Sequence, residues 1–276
     1  MTQGRSGNWT RRAYEVPDAR LVQAEREIHA FLGDEVSIDN KAKTLLKFGK
    51  SAPLVKDVRE TVWTIGGNET YVDDNLITHV VSSSASDVHE LYLECHTVSG
   101  TGVDQKFTFL VQTVTLNGQT PVELPVPVAR VSLMRNNNGT EFVGQIAAYE
   151  GTSAVVGGVP SDITKVHDRI EAGFQNSFKG ATTFSDGDYY ILTGGFGSVS
   201  AKLDGSADFY LEVRQAGKVF TQGAAISGSR GGQWSVDLDP AVIIPKNADV
   251  RVSVISTVNG IVVFGSFQGY LAKVIN

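Results

Sequence analysis

Chemistry in a chain of this kind would rest on a few side chains at fixed spacing. Gly49-Lys50-Ser51 matches the tail of a phosphate-binding loop. That loop also needs a glycine five residues before the second one, so that backbone amides can wrap the phosphates. Thr44 stands there, and the run reads as a solvated loop. Gly194-Gly195-Phe196-Gly197 offers a Gly-x-Gly fragment with neither a third glycine nor a following helix. It reads as a β-turn or bulge.

A zinc site needs three or four ligands that converge from short spacings. The five histidines are His29, His79, His89, His96 and His167, and only His89, Cys95 and His96 are near neighbours. On a regular strand Cys95 and His96 point to opposite faces and cannot share an ion. Cys95 reads as a small core residue, and His96 as an ordinary surface residue. Asp237 and Asp239 would share one face of a strand, where paired carboxylates could bind Ca²⁺ or exchange protons. Two ligands are too few, so they read as solvated charge, and Asp73-Asp74 as a turn. No Gly-x-Ser-x-Gly elbow occurs. Asn68-Glu69-Thr70 and Asn138-Gly139-Thr140 match glycosylation sequons, a pattern frequent by chance. These spacings assign no catalytic, cofactor-binding or metal-ligating residue, and the expectation is a protein that is not an enzyme and carries no cofactor. Tyr189, Tyr190, Phe196 and Trp234 could offer stacking faces to a sugar, against the reading that they fill a core.

The elements that would hold such residues are strands. The 29 glycines, against 8 prolines, lie in Val/Thr/Ser-rich sequence and imply many turns between short strands. The 276 residues suffice for two domains. A net charge of −6 argues against a nucleic-acid grip over the whole surface, which would need excess Lys and Arg. The basic cluster Arg5, Arg11 and Arg12 reads first as a solvated arm, then as docking charge for an acidic partner. A lone cysteine leaves packing and hydrogen bonds to hold the fold. The opening residues lack the apolar core of a signal peptide, and no apolar stretch approaches a membrane span. A soluble protein made in a cytoplasm is expected.

Residues 1–16 read as an extended arm. Asp18 is a plausible N-cap and Gly33 a plausible C-cap for a helix. Leu21, Ala24, Ile28, Phe31 and Leu32 fall at helical spacing between them and form one apolar stripe. A single amphipathic helix cannot bury its stripe alone. Residues 34–57 read as a connecting segment suited to lie along another surface, with Leu45, Leu46 and Phe48 among lysines. Leu21, Ile28, Phe31, Leu32, Leu45, Leu46 and Phe48 are therefore the candidate assembly and docking residues.

From Val58 the pattern changes to period two. Leu91, Leu93 and Cys95 alternate with Tyr92, Glu94 and His96 as in a half-buried strand. Asn117-Gly118 is the strongest turn signal. Pro121, Pro125 and Pro127 make the following strand an edge or a broken one. The expected order is an arm and helix over 1–57, a first β domain over 58–150, a Gly-rich linker over 151–162 and a second β domain over 163–276. The expected class is mainly β: an N-terminal arm with one helix, then two antiparallel β-sandwich or jelly-roll-like domains.

Three stretches carry a family resemblance. The first is Ile77-Thr78-His79-Val80-Val81-Ser82-Ser83-Ser84-Ala85-Ser86-Asp87, with Val114-Thr115-Leu116-Asn117-Gly118-Gln119-Thr120-Pro121-Val122 and Ala129-Arg130-Val131 after it. The second is Phe209-Tyr210-Leu211-Glu212-Val213-Arg214-Gln215-Ala216-Gly217-Lys218-Val219-Phe220. The third joins Ile244-Pro245-Lys246-Asn247-Ala248-Asp249-Val250-Arg251-Val252 to Val263-Phe264-Gly265-Ser266-Phe267-Gln268-Gly269-Tyr270-Leu271. In this order, over roughly residues 58–276, they resemble virion structural proteins of tailed bacteriophages, of the marine and cyanobacterial phage type. The resemblance implies a multi-copy component of the virion, made in the host cytoplasm. Its partners would be copies of itself and other virion proteins, with no membrane and no direct nucleic-acid contact. An arm with tandem sandwiches suits a projecting spoke of the tail or neck (collar, fibre or baseplate). The alternatives are a decoration or cement protein on the head surface, and a module that binds carbohydrate or a host-surface glycan receptor.

Overall fold

The computed structural model describes residues 37–38, 43–200 and 204–275. The expected helix over 18–33, with Leu21, Ile28, Phe31 and Leu32, lies outside the described residues.

The chain is mainly β. Its first strands are β1 (Ser37–Ile38), β2 (Lys43–Lys50) and β3 (Arg59–Thr61). Then come β4 (Ile77–Ser82), β5 (Glu90–Ser99), β6 (Lys106–Thr115), β7 (Val122–Val128), β8 (Arg130–Asn136) and β9 (Ile146–Glu150). A small hairpin of β10 (Val155–Val156) and β11 (Val159–Pro160) leads to β12 (Val166–Ile170). The last group is β13 (Ala181–Phe184), β14 (Asp188–Val199), β15 (Ser206–Gln215), β16 (Thr221–Ser229), β17 (Gln233–Ile244), β18 (Ala248–Ser256) and β19 (Val263–Ile275).

Two antiparallel sandwiches result. In the first, the sheet β12-β9-β4-β7 faces the sheet β6-β5-β8. Alternation puts Leu91, Leu93 and Cys95 of β5 inward, where they meet Ile77, Val80, Ile146 and Ala148 of the facing sheet. β7, with its two prolines, is an edge strand, because proline cannot donate to a second neighbour. In the second sandwich, β19 lies between β14 and β2, and β17 closes the far edge of that sheet. The facing sheet is β13-β18-β15-β16, with β3 also on β18. Tyr190, Phe209, Val250, Val252, Val254 and Phe267 fill the space between them.

The connectivity differs from a tandem arrangement. β2 and β3 belong to the second sandwich, so the first sandwich (77–170) is inserted between β3 and β13. The two crossing segments run side by side: Gly180 N–H donates to Val62 O at 2.9 Å, and Trp63 bridges Lys179. The Gly-rich stretch 151–162 does not separate domains. β9 and β12 on either side of it pair in one sheet, and it forms the β10–β11 hairpin. Gly157 and Gly158 both take positive φ at its two-residue turn, a conformation a bulkier residue adopts only with strain. Phe174–Phe178 is part of the return crossing and forms no strand of its own. Residues 43–50, expected within a connector, are a full strand on β19 from Phe264 to Leu271.

Candidate functional site

The residues whose types could do chemistry are placed for packing. Cys95 is fully buried, and burial pushes its thiol up to about 12, so it is not a thiolate nucleophile near neutral pH. His96 lies on the opposite face of β5, but that face is covered by the second sandwich. It is 3% exposed and packs edge-on to Phe109, and burial pulls its imidazole down to about 3. The expectation of a surface histidine is thus corrected. Gly49-Lys50-Ser51 ends a strand rather than forming a phosphate loop: Lys50 pairs with Glu171 at 2.8 Å, and Ser51 Oγ accepts from Val263 N–H. Gly194-Gly195-Phe196-Gly197 lies within β14, beside a register shift between Leu192 and Gly194, which is the bulge reading. Asp237 is exposed on β17. Among the described residues, no group of three His, Cys, Asp or Glu is arranged to hold a metal.

What the fold does concentrate is buried charge, along the seam between the sandwiches. Arg130 of β8 donates through Nε to Asp249 Oδ1 of β18 at 3.0 Å and through Nη2 to Oδ2 at 3.2 Å. Arg214 of β15 reaches Asp249 Oδ2 at 2.6 Å, and Thr183 Oγ1 donates to Oδ1 at 2.6 Å. Asp249 is fully buried. Burial alone would raise its carboxyl, but the two guanidiniums and the threonine hold it below the usual carboxylate range. Both guanidiniums lie over the Tyr71 ring, at 5.0 and 4.6 Å from its centroid. Nearby, Lys179 pairs with Glu69 and donates to Val131 O and His167 O. Lys47 of β2 donates to Ser132 O at 2.8 Å, and burial lowers its ammonium to about 8. Asp168 is buried beside this group, and its carboxyl is pushed up to about 6 by burial. These pairs tie one sandwich to the other at fixed geometry, because a buried charge that loses its partner costs several kcal/mol.

The outward face of the β17-β14-β19-β2 sheet is different in kind. One rung across it reads Ser235, Phe196, Ser266, Phe48, and the next reads Gln233, Ser198, Phe264, Lys50. The Phe48 ring lies 5.7 Å from Phe264 at 22° and 6.4 Å from Phe196 at 34°. Phe178 meets Phe48 edge-on at 6.2 Å, and Phe174 meets Phe178 at 5.3 Å. Phe48, Phe196, Gly197, Ser198, Gln233, Trp234, Ser235 and Phe264 line a groove of about 490 Å³ along this face.

Of the sequence-selected docking residues, Leu46 (52% exposed) and Phe48 share this outward face, whereas Leu45 packs against the core. Of the four aromatic residues weighed as a sugar platform, Tyr190 is buried in the core and the side chain of Tyr189 lies outside the described set. Trp234 is half-buried against Phe209, and Phe196 alone stands well out on the surface. Phe48 and Phe264 come from opposite ends of the described chain. Their meeting had no local signal beyond the alternation of each strand.

No protein-family model matches the chain, and no curated protein matches it. Among solved structures, that of the Gx strain of infectious bursal disease virus is similar at 10% identity and a TM-score of 0.21, over 88% of this chain and 74% of that one. T=1 particles derived from infectious bursal virus give 11% identity and a TM-score of 0.21, over 94% and 76%. At these values the likeness carries no argument about role.

Proposed function

We propose that this chain is a non-enzymatic, multi-copy structural protein of a tailed-phage virion, placed in the tail or neck. The observation that carries the reading is the order of the three strand-turn-strand stretches over residues 58–276, which resembles that family. The body described here is consistent with it: two sandwiches joined by a buried seam of paired charges form a stiff block rather than two beads on a linker. A stiff block suits a closed symmetric ring, in which each copy must present its contact surfaces at a constant angle. Docking is assigned to the segment before β1, whose sequence carries the apolar stripe Leu21, Ile28, Phe31 and Leu32.

The test is incorporation. A chain lacking residues 1–36 keeps both sandwiches, and it should fold yet be missing from particles assembled in its presence. Normal incorporation of the truncated chain removes the docking assignment. Immunogold labelling of intact particles then gives position. Label at the tail or neck supports the reading, and label spread over the head replaces it with a decoration role.

A further inference from the structure

We propose that the groove between Phe48, Phe196, Phe264 and the edge strand β17 binds an uncharged oligosaccharide. Its lining argues for that chemistry in three ways. All eight lining residues are uncharged, in a chain with 54 charged residues. The nearest cation on the same rungs, Lys50, is held by Glu171. A ligand recognised through phosphate, sulfate or carboxylate would find no counter-charge there.

The second point is the pairing of aromatic surface with free polar groups. Phe48, Phe196 and Phe264 lie within 34° of parallel, taken through Phe48. The polar groups beside them are the side chains of Ser198, Gln233 and Ser235. Gln233 and Ser235 are exposed and Ser198 is half-buried. None of the three side chains makes a hydrogen bond among the described residues. A pyranose ring presents a face of C–H bonds and a rim of hydroxyls. The C–H face meets the electron-rich face of an aromatic ring, and the hydroxyls need neutral donors and acceptors at its border.

The third point is size. A groove of about 490 Å³ falls within the range typical of small-ligand sites, about 300–1,000 Å³. It is small for a second copy of the chain, since a stable protein interface uses roughly 20–30 residues a side.

The full chain is titrated with maltotriose, cellotriose, mannotriose and chitotriose, following amide shifts by NMR. At least one should bind with a dissociation constant on the order of 1 mM. Phe196→Ala should weaken that binding about tenfold, as loss of a central aromatic contact does, and Gln233→Ala should weaken it several-fold. Phe109→Ala, on the other sandwich, should leave it unchanged. If Phe196→Ala fails to fold, Gln233→Ala and Ser235→Ala, whose side chains are exposed and unbonded, make the same comparison. The proposal is overturned if none of the four sugars binds at about 20 mM, well above such a constant. It is also overturned if the groove variants bind as the parent does. A change in sedimenting mass on Phe196→Ala, without sugar binding, would assign the face to contacts between copies instead.

Discussion

Asp249 is the residue on which both sandwiches converge. It receives two guanidiniums and a hydroxyl while fully buried, so removing it strands Arg130 and Arg214 in a low-dielectric seam. Asp249→Ala is expected to lower stability by about 3–5 kcal/mol in urea unfolding. His96 and Asp168 make opposing contributions to the pH dependence. His96 titrates near 3 when folded, against about 6.5 unfolded, so its contribution is complete above pH 6.5 and is lost as pH falls towards 3. Burial pulls His167 the same way. Asp168 titrates near 6 when folded, against about 3.9 unfolded, so acid strengthens the fold between those values. Asp168→Asn should therefore make the loss of stability between pH 6 and 4 steeper than in the parent, measured by thermal unfolding. An equal or shallower loss would mean that Asp168 is not held protonated by burial. Cys95 was legible as core from alternation alone. His96 was not, because nothing local in β5 says that its outward face is covered by another sandwich.

At the scale of elements, β2 is the strand that sequence reading placed in a connector. Its alternation is masked because Lys47 points inward to a carbonyl while Leu46 points out. Its partner is β19, at the other end of the chain, and pairing over that distance leaves no local trace. Turns are more legible, because their chemistry is local: the chain does turn at Asn117-Gly118, where Thr120 N–H donates to Asn117 O and Gly118 takes a positive φ. The Gly157-Gly158 pair carries the same kind of signal, in a glycine-rich composition that suits a linker equally well. β2 also fixes where the chain can be cut. Deletion of residues 1–36 should leave the circular dichroism of the β fold intact, and deletion of residues 1–50 should abolish cooperative folding. Gly49 gives a single-residue version. A Cβ there would stand 2.3 Å from Val62 O and 2.4 Å from Gly180 N, both backbone atoms of the crossing segments. Gly49→Ala should cost about 1–3 kcal/mol in urea unfolding, the usual range for forced overpacking.

At the scale of the molecule, the first sandwich is an insertion in the second, and the seam between them holds Lys47, Arg130, Lys179 and Asp249 with bonded partners. The mainly β, antiparallel class is legible in the sequence, because alternation and turns are written locally. The insertion is not, because it depends on which strands pair. A seam of this kind couples the two bodies, so calorimetry should show one unfolding transition, and Asp249→Ala should split or broaden it. The central claim is a structural part present in many copies in a virion. Quantitative mass spectrometry of purified particles from the genome that encodes the chain tests it most directly. The account predicts the chain at several copies or more per particle, in constant ratio to the major structural proteins. Absence from purified particles, or presence only at trace level, would contradict it.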